Sequence, residues 1–151
     1  VVSGAARDTR RIGRGDAPAS QRLLDASLER EAMLVQPFVP GVTVHGEVSV
    51  IVIDGEPTHA VRKVPRPGDF RVQDDHGGTV HEHQASKDEL AFARHAVQHC
   101  GHEVSYARVD MARDAAGALQ VLELELVEPE LFFRHGPHAA PAPSFARSSA
   151  D

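Results

Sequence analysis

Leucine and glutamate alternate over residues 122–126, within the segment 121–128, and this alternation limits the possible fold more than any other feature of the chain. Successive side chains of a β-strand point to opposite faces of a sheet, so Glu123 and Glu125 share one face. The intervening leucines share the other face, which is fit for burial against a core. The pattern therefore predicts a strand with one covered face and one polar face. The leucines of the covered face are Leu122, Leu124 and Leu126.

A second predicted strand, just before this one, brings another carboxylate to the polar face. If the connecting turn is centred just before Gly117, Asp110 lies opposite Glu123. Arg108 then lies opposite Glu125. Like charges directly opposite one another destabilise a sheet, whereas a bound Mg²⁺ reverses that effect because it takes oxygen ligands from carboxylates. The alternative interpretation is the solvent-exposed polar face of an amphipathic hairpin.

Composition excludes several classes of protein before any further motif is considered. The chain has 151 residues, of which 41% are hydrophobic, enough for one packed domain or part of a larger one. Its formal net charge of -6 argues against electrostatic nucleic-acid binding, and no run of residues predicts a membrane span or a signal peptide. The single cysteine, Cys100, excludes an internal disulfide and predicts a reducing compartment, so we expect a cytoplasmic protein.

Helix and strand signals predict an α+β fold, with a mainly antiparallel sheet flanked by helices. Asp16 is a suitable N-cap, and Pro18 suits the first turn of a helix that runs to about Arg30. Ser86 and Glu89 form a capping-box pattern, which opens a second helix that runs to about residue 100. Strands are predicted at 33–39, 48–53, 57–64, 103–112 and 119–128, with a hairpin turn at 54–55, a long loop at 65–80 and a short helix at 129–133.

A short apolar segment before Pro40 predicts a hinge whose backbone could bind an adenine base. Pro37 lacks a backbone N–H, which disfavours a central strand position. The hinge can instead offer its remaining N–H and C=O groups to the edge of a base. An ordinary edge strand and loop is the alternative. The residues of this candidate site are Gln36, Phe38 and Val39, followed by Glu47 for a ribose hydroxyl.

Basic side chains beside flexible, glycine-bearing backbone predict a site for phosphate or carboxylate groups. Arg62 and Lys63 lie near the end of a predicted strand, and Arg71 follows Gly68 in the next loop. The planar guanidinium of Arg71 suits a carboxylate better than an ammonium group would. A solvated loop without a ligand is the alternative for these residues.

Histidines 76, 81 and 83 raise the alternative of a structural zinc site. His81 and His83 could ligate one ion from an extended segment, but no cysteine or further spaced histidine supplies a fourth ligand. The chain contains 10 histidines, so chance clustering is the simpler interpretation.

In their order along the chain, these signals resemble the C-terminal portion of an ATP-grasp carboxylate–amine ligase of the glutathione-synthetase-like branch. Within that branch the chain resembles the group that contains the ATP-grasp ligase of D-cycloserine biosynthesis. The resemblance covers about residues 1–135, and the joint pattern is far more specific than any single motif. The motifs that carry it are residues 36–39, 46–56, 68–71, 77–78, 106–110 and 122–129.

The resemblance implies a site for ATP and two Mg²⁺ ions, and a reaction in which ATP activates a carboxylate as an acylphosphate for attack by an amine. It implies small-molecule substrates rather than nucleic acid or membrane, and a homo-oligomer is one expected assembly. The implied metal ligands are Asp110, Glu123 and Glu125. The implied nucleotide-binding residues are Ser3, Gly4, Gln36, Phe38, Val39, Glu47, Arg62 and Lys63. The implied catalytic residues are Lys63, Arg71 and Arg108.

Two positions depart from the pattern of the family. Many relatives carry asparagine where this chain has Glu125, although glutamate is also a competent oxygen ligand. Glu128 replaces a small residue that is common in glutathione synthetases. The resemblance therefore implies the class of reaction but not the identity of the substrate.

The resemblance also implies an incomplete domain. Relatives carry a Lys-Pro pair on the strand just before the small glycine loop, and Val1 begins after that point. We therefore expect residues 1–135 to be a partial ATP-grasp domain that lacks its N-terminal part and is inactive alone. Residues 136–151 are expected to be a flexible tail. The alternative to a ligase is a non-catalytic module of the same fold, either nucleotide-responsive or purely structural.

Overall fold

The computed structural model describes Ala6 and residues 9–136. The chain divides into two compact units, residues 1–38 and residues 39–151. Ser3 and Gly4, which the sequence assigns to a loop near phosphate, lie outside the described residues, and so does the expected tail after Gly136.

The described part of the first unit contains the helix α1, at Ala17–Leu28. Pro18 lies in its first turn, as predicted, because a proline there gives up no helical hydrogen bond. The strand predicted at 33–39 is wrong, since residues 32–39 have no regular secondary structure. Pro37 has no N–H to give to a β-ladder, and no described strand pairs with this segment.

The second unit is built on a five-stranded antiparallel sheet, which confirms the predicted α+β class. Its strands are β1 at Glu47–Ile53, β2 at Glu56–Val64, β3 at Thr79–His83, β4 at Tyr106–Arg113 and β5 at Leu119–Glu125. Its helices are α2 at Gly41–His45 and α3 at Lys87–Gln98. The order across the sheet is β3–β2–β1–β4–β5, so β1 is central. None of the described helices has the length and apolar character that crossing a membrane requires.

The central strand β1 is buried along almost all of its length, as its continuous β-branched sequence predicts. It joins β2 through a two-residue turn in which Asp54 and Gly55 have φ values of 49° and 82°. Positive φ at both positions matches the twist of the flanking strands, and Asp-Gly is a favoured pair for such a turn. The turn pairs Ile53 with Glu56, and a β-bulge between Ile51 and Val52 then shifts the register by one residue, so that Glu47 lies opposite Lys63.

Helix α3 covers one face of the sheet. Its start follows the predicted capping box, in which the Glu89 carboxylate accepts the backbone N–H of Ser86 at 2.9 Å. On its inner side, Ala93 and Val97 are buried in a cluster with apolar side chains of β1 and β4. Burying a valine-sized side chain contributes about 1.5–3 kcal/mol, so this cluster holds the helix on the sheet.

The edge strand β3 was not predicted, and the loop expected at 65–80 overlaps its first two residues. Its sequence is mostly polar and follows Gly77 and Gly78, so no apolar alternation marks it as a strand. An edge strand needs only one partner, and β3 pairs with β2. Just before β3 the chain passes close to the loop that follows β2, since a Cβ at Gly78 would lie only 2.0 Å from the carbonyl oxygen of Val72.

The helix predicted at 129–133 is wrong, since the structure has a 3-10 helix at Phe133–His135 instead. The Glu130 carboxylate accepts the backbone N–H of Phe132 at 2.9 Å. Phe132 also has a φ of 51°, in the left-handed region. A residue in that conformation cannot continue a right-handed helix, so the chain turns at this point.

The segment after β5 packs on the sheet face that lies opposite α3. Phe132 is buried against Val61 of β2, and His59 Nε2 donates a hydrogen bond to the carbonyl oxygen of Leu131 at 2.8 Å. The Phe132 ring also lies near Arg108, whose guanidinium carbon is 5.9 Å from the ring centre. The segment therefore covers part of the face that carries the charged side chains.

Candidate functional site

Two neighbouring strands place three carboxylates on one face of the sheet. Asp110 on β4 lies directly opposite Glu123 on β5. Arg108 lies opposite Glu125, two positions along the same pair of strands. One oxygen from each of the three carboxylates lies within 4.8 Å of the others. The pairing predicted from the sequence is confirmed.

A β-bulge beside the carboxylates corrects two details of the predicted hairpin. Met111 pairs with Val121 rather than with Leu122, so β5 carries one extra residue before Glu123. The turn is centred on Ala116, slightly earlier than predicted, and the bulge restores the predicted register at the carboxylates. Leu122 also leaves the row of leucines that faces α3 and packs with a separate apolar cluster around α2.

Two cations contact the most buried of these carboxylates. Lys63 Nζ lies 3.1 Å from Asp110 Oδ2 and also forms an ion pair with Glu47. Arg108 donates from Nε to Asp110 Oδ1 at 3.0 Å and from Nη2 to Asp110 Oδ2 at 2.9 Å. The same Nη2 donates to Glu125 Oε1 at 2.5 Å. These charge-assisted contacts fix the orientation of both carboxylates.

The surroundings move the pKa values of Asp110 and Glu123 in opposite directions. Burial works to raise the pKa of Asp110, which is 1% exposed, but Lys63 and Arg108 hold that pKa below its usual range. Partial burial, together with the charges of Glu125 and Asp110, raises the pKa of Glu123. Glu123 makes no ion pair with another described residue. An added cation would therefore be stabilised most by contact with Glu123.

The donor set fits a magnesium ion. With Glu47 included, four carboxylates and two cations meet on this face, which leaves an excess of two negative charges when all are ionised. Mg²⁺ is commonly held by one or two carboxylates, with its other positions filled by water and phosphate oxygens. The residues that could hold such an ion are Asp110, Glu123 and Glu125.

Glu47 is expected to make stability depend on pH. Burial raises the pKa of Glu47 from 4.5 to about 7, against the opposing effect of Lys63. The folded protein therefore binds this proton more tightly than the unfolded chain does. The resulting stabilisation is complete below about pH 4.5 and is lost as the pH rises through about 7. Urea unfolding without added Mg²⁺ should show the wild type losing stability over this range relative to Glu47→Gln, and parallel profiles would contradict the expectation.

Arg62 and Lys63 are neighbours on β2 and face opposite sides of the sheet. Adjacent residues of a strand face opposite sides of a sheet, so Arg62 is exposed on the side away from Asp110. Lys63 is the one of the two whose side chain contacts the carboxylates. Arg71 lies in the loop after β2, where it binds the Asp69 carboxylate through Nε at 3.0 Å and Nη2 at 2.8 Å.

The predicted hinge residues fall on the boundary between the two units. Gln36 and Phe38 belong to the first unit, in which the Arg11 guanidinium carbon lies 3.9 Å from the centre of the Phe38 ring. Val39 belongs to the second unit and packs against a cluster that includes Val42. Their role toward a nucleotide therefore stays a prediction.

The described residues do not form the alternative zinc site. Within them, Asp110, Glu123 and Glu125 are the one group of three or more side chains placed to hold a metal. The two histidines of β3 contact different partners. His81 Nε2 lies 2.8 Å from the Thr79 hydroxyl oxygen, and His83 Nε2 lies 3.0 Å from a Glu89 carboxylate oxygen.

The segment after β5 contributes contacts that were not predicted. The carbonyl oxygen of Glu130 accepts a hydrogen bond from Arg108 Nη1 at 3.4 Å, and Phe132 limits the access of solvent to the same guanidinium. The only signal in the sequence was an apolar run after Pro129, which was interpreted as a short helix. The left-handed backbone that creates these contacts cannot be predicted from such a run.

The family model for the prokaryotic glutathione synthetase ATP-grasp domain matches residues 11–105 of this chain. The match covers more than half of the chain, which therefore belongs to this family. The matched stretch contains β1, β2, β3 and α3 but ends before Asp110. The indication that the three carboxylates could hold a metal therefore comes from the geometry of β4 and β5.

Among individual proteins, the chain is 34% identical over 140 residues to the cycloserine biosynthesis protein DcsG of Streptomyces lavendulae. This match covers 83% of this chain and 44% of that protein. The chain is also 35% identical over 78 residues to a glutathione synthetase of Prochlorococcus marinus strain MIT 9313, in a match that covers 50% of this chain and 25% of that enzyme. The crystal structure of D-cycloserine synthetase DcsG is similar with a TM-score of 0.68 and 29% identity, over 87% of this chain and 47% of that one. The chain thus spans less than half the length of these relatives.

Proposed function

We propose that the complete native protein is an ATP-dependent ligase that joins a carboxylate to an amine. The observation that carries this proposal is the grouping of three carboxylates beside Lys63 and Arg108 in a chain of the ATP-grasp family. Such a face suits a metal-bound polyphosphate, because carboxylates hold the metal and cations meet the phosphate oxygens. A purely structural face gains nothing from clustered like charges, so the non-catalytic alternative is not favoured.

The proposed metal ligands are Asp110, Glu123 and Glu125, and we propose two ions. When bound, Mg²⁺ neutralises the charge on the phosphates during phosphoryl transfer. Arg108 keeps Asp110 and Glu125 in the orientation that its Nε and Nη2 contacts define. Lys63 is proposed as the phosphate-facing cation in place of Arg62, because its ammonium group lies on the carboxylate face.

Other contacts to the nucleotide and the acid are proposed from the resemblance to the family. The segment around Phe38 receives the adenine, Glu47 bonds a ribose hydroxyl, and the loop at Ser3 and Gly4 closes over the phosphates. Arg71 meets the carboxylate of the substrate, for which it exchanges its present contact with Asp69. The adenine-facing residues proposed beside Phe38 are Gln36 and Val39.

The proposed reaction has two displacements. In the first, an oxygen of the substrate carboxylate attacks the γ-phosphorus of ATP, the bond to the β–γ bridging oxygen breaks, and ADP leaves. In the second, the amine nitrogen attacks the acyl carbon, the C–O bond to phosphate breaks, inorganic phosphate leaves, and the amine gives up a proton to solvent. This chemistry depends on alignment and charge neutralisation rather than on a protein nucleophile.

The substrates are proposed to be small molecules, a carboxylic acid and an amine. Support comes from the similarity to a glutathione synthetase and to a protein named for cycloserine biosynthesis. A single cysteine in a chain of this length supports a reducing, cytoplasmic location. A homo-oligomer remains part of the proposal.

The first test is nucleotide binding by the complete native protein. Calorimetric titration with a non-hydrolysable ATP analogue should give saturable binding in the presence of Mg²⁺ and little binding in EDTA, because the phosphates need the metal to approach three carboxylates. A panel of acids and amines should then release ADP and phosphate. With the acid labelled by ¹⁸O in its carboxylate, one labelled oxygen should appear in the released phosphate. Absence of metal-dependent binding, or phosphate without label, would overturn the proposal.

A further inference from the structure

A cleft on the other side of β2 contains basic side chains that the proposed reaction does not use. Arg62 faces the side of the sheet away from the carboxylates and pairs directly with His81 on β3. Arg62 is exposed and makes no ion pair with another described residue. Its guanidinium can therefore bind a ligand without first breaking an internal contact.

The cleft lies between the C-terminal end of α2 and the paired strands β2 and β3, and its volume is about 380 Å³. That volume falls in the range of small-molecule sites, roughly 300–1,000 Å³. Its titratable lining residues are all basic, namely Arg62, His45 and His81. Thr43 adds a hydroxyl group, and Val44 and Val64 add apolar wall.

Gly46 makes this arrangement possible. Its φ of 81° lies in the left-handed region, which glycine adopts without steric cost. A Cβ at this position would lie 2.6 Å from the carbonyl oxygen of Lys63 and 3.2 Å from Arg62 Cγ. The end of α2 can therefore approach β2 closely, which brings His45 to the same cleft as Arg62.

We propose that this cleft binds a phosphate group, either as inorganic phosphate or as part of a small phosphate monoester. Two donors of an arginine fork match two phosphate oxygens, and the imidazole N–H groups of His45 and His81 can supply further donors. The described lining contains no carboxylate that would repel the ligand, although the whole chain has a net charge of -6. The site is separate from the carboxylate face, and its existence does not depend on the ligase reaction.

The test is a titration of the complete native protein with inorganic phosphate and with glycerol phosphate, followed by two-dimensional NMR. A saturating concentration of the Mg²⁺-bound ATP analogue is included so that the nucleotide face is occupied. Saturable shifts are expected at the amides of Thr43, Val44 and Gly46. Arg62→Gln should weaken the affinity about tenfold or more, and a stronger response to glycerol phosphate would identify a monoester as the preferred form.

The matched control is Arg66→Gln, which removes an exposed arginine outside the cleft from the same part of the chain. It should leave phosphate affinity unchanged, and neither variant should change the affinity for the nucleotide analogue. An equal response in both variants, or one that does not saturate, would mean an adventitious ion only. Binding that is lost when the nucleotide is present would place phosphate on the carboxylate face. Each of these three results would overturn the second site and leave the proposed ligase function untouched.

Discussion

Replacing Glu123 with glutamine is expected to lower the turnover of the complete native protein by a factor of about 100 or more, since removing one preorganised electrostatic group from an active site commonly costs 10²–10³ in rate. Glu123 is the carboxylate of the group that makes no ion pair with another described residue. Partial burial and the charges of Glu125 and Asp110 raise its pKa, so the site gains most from a divalent cation at this position. Glutamine keeps the shape and one oxygen but removes the charge.

The measurement is ADP release as a function of Mg²⁺ concentration, with the acid and amine that give the highest wild-type rate. Glu123→Gln should lower kcat and shift the Mg²⁺ requirement to higher concentration. Glu82→Gln on β3 is the control, because it removes an exposed glutamate outside the carboxylate group. A kcat close to that of the wild type would contradict the metal assignment. A large loss of turnover with unchanged affinity for Mn²⁺ would instead indicate a role for Glu123 other than metal binding.

The hairpin of β4 and β5 shows how much a sequence pattern can predict. Alternation of glutamate with leucine was enough to place Glu123 and Glu125 on one face, because side-chain direction in a strand has a period of two. The pairing of Asp110 with Glu123 was also correct, although the assumed turn was slightly misplaced. The bulge at Leu122 compensates for the difference. A bulge depends on local packing, so the alternation alone cannot predict it.

The rest of the site depends on tertiary contacts that have no local signal. The sequence alone does not show which of Arg62 and Lys63 lies beside the carboxylates, because that depends on the register of β2 against β1, which places Lys63 opposite Glu47. Similarly, the contacts of Arg108 with the segment after β5 depend on the left-handed backbone of Phe132. Both features are stabilised by contacts between residues that are far apart in the chain. Such contacts cannot be predicted from local secondary-structure propensity or from hydrophobic periodicity.

Replacing Lys63 with methionine is expected to destabilise the fold by about 3 kcal/mol near pH 8, the lower end of the cost of breaking a buried ion pair. Lys63 is 8% exposed and lies between Glu47 and Asp110. Asp110 keeps its contacts with Arg108 in the variant, so the loss falls mainly on Glu47. Near pH 5 Glu47 can take up a proton, because burial already raises its pKa to about 7. The destabilisation should therefore be smaller at the lower pH.

Urea unfolding at the two pH values measures this prediction, and the neighbouring Arg62→Met is its control. Both substitutions remove one cation from β2, but Arg62 is exposed on the other side of the sheet, where such changes usually stay within about 0.5 kcal/mol. Adding Glu47→Gln to Lys63→Met should recover part of the lost stability, because it removes the carboxylate that has lost its partner. Equal losses for Lys63→Met and Arg62→Met, or a double variant no more stable than Lys63→Met, would show that the buried ion pair does not hold β1 against β2. In that case the carboxylate face would owe its geometry to Arg108 alone, whose fork joins Asp110 to Glu125 across β4 and β5.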